Sequence, residues 1–198
     1  MKLKHIKEGG GIIIPIPCNY SDCLNLVRSD WYRYSGISPS LLRILYGLRN
    51  VHTAYSFWLR FSAHKGWLYP ITRRMLNYYS RKYGLLIEPQ TLIGYGLYLS
   101  HHFGIVVNPT AIIGNNVNLS QFTTIGSNEG RAAIIGDEVY IGPNACIVED
   151  VVISKGCVIG AGAVVVKNTS MKTTVGGVPG KKISSNNSAR FIKNKWVL

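Results

Sequence analysis

From Ile135 to Val165 the chain reads IGDEVYIGPNACIVEDVVISKGCVIGAGAVV, and an aliphatic residue returns at every sixth position: Ile135, Ile141, Ile147, Ile153, Ile159 and Val165. The same phase continues upstream through Ile125, Leu119 and Ile113, then Ile105, Leu99, Ile93 and Ile87, which makes thirteen hexads. A short fixed period with an aliphatic at one phase means that each repeat buries one side chain on a common axis. Stacked repeats then share a core that none could form alone. The expectation is a parallel β-helix.

A second apolar or small set follows four residues after the first, at Leu97, Phe103, Val117, Thr123, Val139, Ala145, Val151, Cys157 and Ala163. Two inward positions per hexad fit short strands joined by tight corners, where glycines such as Gly94, Gly142 and Gly160 relieve crowding. The rhythm breaks twice. Two extra residues fall between Ile105 and Ile113, in the stretch 107–110, and four fall between Ile125 and Ile135, in the stretch 127–133. Insertions in a solenoid bulge outward as loops on one face, often the binding face, and the second is the candidate substrate loop.

The chain from Gly94 to Lys181, roughly half of it, resembles the hexapeptide-repeat acyltransferases, which form left-handed β-helices. The resemblance is nearest to the serine acetyltransferase branch. It rests on LSHHFGIVV from Leu99 to Val107, the Gln121–Gly126 segment, IGAGAVV from Ile159 to Val165 and VGGVPGK from Val175 to Lys181. It implies a mainly β fold, a left-handed parallel β-helix preceded by an α-helical amino-terminal region. It also implies acetyl-CoA as acyl donor and a homotrimer with sites between neighbouring prisms, with a dimer of trimers through the amino-terminal helices left open. The expected divisions are 1–85, helical, basic and aromatic; 86–180, the β-helix; and 181–198, a basic tail.

Aligned through Gly104 to Val107, the family's catalytic histidine falls on His101, with His102 as the reserve candidate and as a neighbour that shapes the site. The chemistry agrees. A hydroxyl is a poor nucleophile at neutral pH, and an imidazole can take its proton as it attacks the thioester, with no acyl-enzyme needed. At the acceptor the resemblance places Ser100, His102 and Arg131, the last matching a serine-carboxylate-binding arginine. Two positions depart from the serine enzymes: Ser100 stands where they have Asp, and Ala132 where they have a second His. The acidic partner of the base is missing as well, with Leu86 in its place and Glu88 close by. An amino-acid acceptor needs an ion pair at each end. The first reading is therefore an O-acetyltransferase acting on a glycan or sugar-precursor hydroxyl, and the alternative is a serine O-acetyltransferase. A non-catalytic binding protein on a decayed transferase fold is the third reading.

By the same resemblance the pantetheine arm runs near Gly142, Pro143, Ala161 and Gly162, and Lys167 and Lys181 lie near the phosphates, where charge-assisted bonds are needed. No metal is expected. A three-histidine zinc site, as in β-helical carbonic anhydrases, is not expected, because the repeats hold only the adjacent His101 and His102.

The formal charge of +13 is uneven: residues 1–85 carry 13 Lys and Arg against 3 Asp and Glu, residues 86–180 carry 4 against 6, and the tail carries 5 against none. Thirteen aromatics lie between Trp31 and Tyr83. Ser38-Pro39 reads as a cap opening one helix of about two dozen residues through Leu41, Leu45, Leu48, Tyr55 and Leu59, and a second helix runs from Pro70 to Gly84. Arg43, Arg49, Arg60, Arg73, Arg74, Arg81 and Lys82, interleaved with Trp58, Trp67, Tyr78 and Tyr79, point either to solvated helix faces or to an anionic membrane surface or pyrophosphate-linked glycan carrier. Nucleic acid is not expected, as no nucleic-acid module is recognisable. Arginines interrupt the best apolar window, and Gly9–Pro17 is too short for a signal. The expected location is cytoplasmic, at most peripheral to the inner membrane face. Cys157 takes an inward repeat position, and Cys18, Cys23 and Cys146 lack zinc spacing. Ser184–Ser188 reads as a polar mobile stretch, with Phe191 and Trp196 docking the tail.

Overall fold

A computed structural model of the chain describes residues 1–185 and 191–197, so part of the Ser184–Ser188 stretch lies outside the described residues. The hexads form a three-sided parallel β-solenoid of two- and three-residue strands. On one side Ile87, Val107, Ile125, Ile147 and Val165 stack in register. On the second side Ile93, Ile113, Ile135 and Ile153 do so, and on the third Leu99, Leu119, Ile141, Ile159 and Val175. These are called below the Ile87, Ile93 and Leu99 sheets. All of these side chains are buried, and each contributes about 1.5–3 kcal/mol of apolar burial.

The register corrects one expectation. Val107, not Ile105, pairs with Ile125, so the two extra residues fall between Leu99 and Val107 and not in 107–110. Ile105 is fully buried as well, because it fills the corner that Thr123, Ala145 and Ala163 fill in later coils. Two apolar residues two positions apart both point inward, and periodicity could not tell which belongs to the strand. Phe103, expected inward, is 52% exposed. The widened corner is Ser100–Gly104, the stretch that carries both histidines. The four-residue insertion is where expected, between strands Thr124–Gly126 and Ile134–Ile135.

The amino-terminal part opens with an antiparallel hairpin, β1 (Lys2–Ile6) and β2 (Ile12–Ile16). Ile12 and Ile14 pack on Ile134 and its neighbours Leu92, Ile112 and Val152, covering the outer face of the Ile93 sheet. Four helices follow. Helix α1 (Tyr20–Ser35) is capped by Asn19 and ends at Gly36 in the left-handed region. Helix α2 (Leu41–Gly47) is capped by Ser40, α3 (Val51–Ser62) by Asn50, and α4 (Tyr69–Tyr83) ends at the left-handed Gly84. The single helix expected from Ser38-Pro39 is thus two. Gly47 lies so close to Trp31 that a Cβ would stand 2.5 Å from its ring, and Asn50 supplies a fresh cap three residues on.

The helices are bound to the solenoid by buried charge. Asp30 takes both Arg60 Nε and Nη2 at 2.9 Å, the Ser56 hydroxyl at 2.6 Å and the Leu97 amide at 2.8 Å. Arg60 also donates to the Ile93 and Gly94 carbonyls, and Arg33 to those of Gly96 and Lys193 and to Asn118 Oδ1. Arg60 is 4% exposed, which removes it from any outward-facing basic patch. Arg73 is likewise engaged, 2.8 Å from Glu88. The tail docks as expected. Phe191 lies against Tyr140, and Trp196 against Tyr32. No helix among the described residues is long and apolar enough to cross a membrane. Cys157 is buried in the core.

Candidate active site

His101 sits on the edge of the prism where the chain turns from the Leu99 sheet to the Ile87 sheet. Its backbone is in the left-handed region, with φ of 50°, and its side chain is exposed. Among the described residues its ring makes no hydrogen bond or ion pair, so a lone pair is free for an incoming proton. The widened loop permits this, because the coil from Leu99 to Val107 is two residues longer than the one stacked on it. Gly104, at φ of 64°, follows without a side chain because a Cβ there would strike the Phe122 ring of the next coil.

The same edge continues down the solenoid. The Phe122 amide bonds the Phe103 carbonyl at 3.0 Å, Asn144 bonds Gln121 at 3.0 Å, and Gly162 bonds Pro143 at 2.9 Å. Pro143, Ala161 and Gly162 therefore lie in line with the histidine loop, the last coil about 14 Å from the first at the usual strand spacing. At Gly162 a Cβ would meet nothing within 4 Å, and Ala161 is exposed. This end of the edge is bare backbone, fit for an extended chain. Gly142 has a different reason to lack a side chain. It is buried, and a Cβ would lie 2.8 Å from the Ala161 amide, so it serves the stacking of coils. At the carboxy-terminal end Lys167 shares a small cavity with Lys182. Lys181, the expected partner, is exposed on the terminal strand Lys181–Ser184.

His102, expected to face the acceptor, does not. It is 1% exposed, and its Nδ1 lies 2.7 Å from Nδ1 of His52, in the first turn of α3. Two ring nitrogens at that distance share one proton, one donating and the other accepting. Burial, aided by the charge of His52, pushes His102 down to about 3, and burial with the charge of His101 lowers His52 too. Both rings are neutral at neutral pH. Tyr34 adds a further tie, its hydroxyl donating to the Leu99 carbonyl at 3.0 Å and accepting from the Leu99 amide at 3.3 Å. Tyr83 rests edge-on against Phe103. His52, Tyr34 and Tyr83 come from helices far away in sequence, and no spacing in the chain marks them.

A stability test follows from His102. An unfolded histidine titrates near 6.5 and folded His102 near 3. Between those values the unfolded chain binds the extra proton, so stability falls as pH is lowered through this window and is complete above it. His102→Gln should flatten that slope. Urea midpoints at pH 4.5 and 7.5 should differ less in the variant than in the wild type, and equal differences would show that another group titrates.

Ser100 is half-buried beside this loop, its amide bonded to the Leu119 carbonyl, and lines a cavity of about 320 Å³ with Tyr98, Asn118 and Tyr140. Arg131 is elsewhere. The loop 127–131 leaves the edge between the Ile87 and Ile93 sheets, and Glu149 pins it by accepting from the Ser127 hydroxyl and the Asn128 and Glu129 amides. Arg131 is 68% exposed and bonds Asp150 at 3.0 Å. Ala132 is buried. Within one chain the structure does not bring Arg131 and His101 together. Glu88 lies on the Arg131 edge and is paired with Arg73.

The solenoid of hexads thus carries an exposed histidine on the same edge as the open turn Ala161–Gly162. Residues 132–167 match the model for the bacterial transferase hexapeptide (six repeats). The chain is 28% identical to the serine acetyltransferase of Buchnera aphidicola subsp. Acyrthosiphon pisum, over 96% of its own length and 72% of the relative's. A solved structure of Neisseria gonorrhoeae serine acetyltransferase in complex with serine is 32% identical, with a TM-score of 0.67 over 81% of this chain and 69% of that one. A shorter segment, 26% of the chain, is 50% identical to the 2,3,4,5-tetrahydropyridine-2,6-dicarboxylate N-acetyltransferase of Clostridium perfringens and spans 22% of it. The chain belongs to the hexapeptide-repeat acyltransferases, in the branch that resembles the serine acetyltransferases.

Proposed function

We propose that the protein transfers the acetyl group of acetyl-CoA directly to a hydroxyl, with His101 as general base. The observation that carries this reading is the exposed, unpartnered His101 at the head of the edge that ends in Ala161 and Gly162. His101 accepts the hydroxyl proton as the oxygen attacks the thioester carbonyl. The tetrahedral intermediate collapses, the carbon–sulfur bond breaks, and the proton passes from His101 to the departing thiolate. Lys167 and Lys182, with Lys181 beside them, compensate phosphate charge of the donor. In the assembly we infer, a homotrimer, a neighbouring prism brings its Arg131 edge toward His101.

For the acceptor we infer a sugar hydroxyl on a glycan or its precursor. Arg131, in an exposed and weak pair with Asp150, remains available to a carboxylate, but Ser100 carries no charge and Ala132 is small and buried, so the ammonium end of an amino acid meets no counter-ion. L-Serine is the second reading, and the names of the relatives favour it over any sugar. We also infer a cytoplasmic location, with Arg43, Arg49, Arg74, Arg81 and Lys82 available to an anionic membrane face.

Thiol release from acetyl-CoA, with L-serine and with a panel of nucleotide sugars, separates the two. Sugar-dependent release without serine-dependent release is the expected result. Fast serine-dependent release, with no response to any sugar, would establish the serine reading instead.

A further inference from the structure

Between the end of α1, α2 and the first turn of α3 lies a cavity of about 640 Å³, in the size range of small-molecule sites. Its walls include Trp31, Tyr34, Tyr46, Tyr83, Arg43 and Arg49. It borders the histidine loop. His52 stands between the lining residues Val51 and Thr53 and touches His102, Tyr34 is 6.4 Å from the His52 ring, and Tyr83 meets Phe103.

The charges on its rim have no ion-pair partner among the described residues. No Asp or Glu occurs in the sequence between Asp30 and Glu88. The other arginines next to the solenoid are committed, Arg33 and Arg60 to buried carbonyls and carboxylate, and Arg73 to Glu88. Arg43 and Arg49 have no ion pair among the described residues. Arg49 instead lies 5.3 Å above the Tyr46 ring. A pocket with two free guanidinium groups and a wall of tyrosine and tryptophan suits a ligand with an anionic oxygen cluster and a ring to stack. Guanidinium forks match phosphate oxygens two at a time, and aromatic faces pack against sugar or base rings.

We propose that this cavity holds the phosphate-bearing end of the acceptor, a glycosyl phosphate or diphosphate ester, with its sugar directed at the His101 loop. The proposal rests on the reading that the acceptor is a sugar hydroxyl. A nucleotide sugar and a carrier-linked sugar share this chemistry.

Calorimetric binding to the full chain tests it. The probes are UDP-glucose in solution, a short polyprenyl diphosphate glucose in phosphatidylcholine vesicles, and glucose as the neutral control. The wild type should bind at least one phosphorylated probe and not glucose, and the probe that binds identifies the source. Arg43→Ala with Arg49→Ala, both exposed side chains whose loss should leave the thermal melt unchanged, should weaken that binding by on the order of tenfold per arginine. Equal binding by variant and wild type overturns the proposal. So does a wild type that binds acetyl-CoA but neither phosphorylated probe. Loss of self-association in the variant, with no probe bound by either protein, makes the cavity an interface between copies and also overturns it. If instead acetyl-CoA itself is neither bound nor turned over, the transferase reading fails, and that result is distinct from all of these.

Discussion

Replacing His101 with alanine should lower kcat/KM for acetyl transfer by about 10²–10⁴-fold, the usual contribution of a positioned general base, with little change in the affinity for acetyl-CoA. The two effects separate because His101 heads the edge, and the donor is expected to lie along the coils that end in Ala161 and Gly162, three turns further on. His101→Gln should not restore activity, since an amide cannot take the proton. Of the three histidines in this corner His101 alone is exposed; His102 is buried and His52 is tied to it. Steady-state rates of thiol release with a responsive acceptor make the comparison, and undiminished kcat in His101→Ala would transfer the role to another group. His52→Ala should act through geometry, freeing the His102 ring and loosening the loop.

Asp30→Ala should destabilise the fold by about 3–5 kcal/mol, the cost of breaking a buried pair from one side. Asp30 has no exposed surface and neutralises an Arg60 that is 4% exposed. Removing the carboxylate leaves that guanidinium in a dry environment, together with the Ser56 hydroxyl and the Leu97 amide that also bonded it. Asp30→Asn keeps part of the hydrogen bonding and should cost less. Urea unfolding followed by circular dichroism gives both values, and a loss below about 1 kcal/mol for the alanine variant would mean that water reaches Arg60. Since α3 is held to the first coils by this pair, the alanine variant should also lose His52 from His102, and with it part of the activity.

The solenoid was legible because burying one aliphatic side chain per strand is a local, periodic demand, and the inward residues from Ile113 to Val165 all obey it. The lack of bulky side chains at Ala161 and Gly162 is visible in the string itself, and the structure leaves that turn open, whereas Gly142 has a packing reason that no string reveals. The insertion near the histidines was harder. Ile105 and Val107 are both apolar and both buried, and only hydrogen-bonded pairing with Ile125 decides that Val107 is the strand residue and that the loop widens at His101. In the helical part, Pro70 in the first turn and Gly84 after the last sufficed for α4. The break between α2 and α3 depended on Trp31 pressing against Gly47, and the hairpin β1–β2 and helix α1 carried no repeat to announce them.

By itself, then, the sequence determined the repeat architecture, the family likeness and His101 as the histidine of the motif, all of which follow from short-range periodicity and contiguous motifs. Tertiary structure decided what surrounds that histidine. It buried His102 against His52, set Arg131 on another edge beside Asp150, committed Arg33 and Arg60 to the docking of the helices, and left Arg43 and Arg49 around a cavity next to the histidine loop. Each of these contacts joins residues from separate elements, and their distance in the chain carries no trace of it. They arise from the packing of a helical layer against the first coils, where burial and charge pairing select one arrangement.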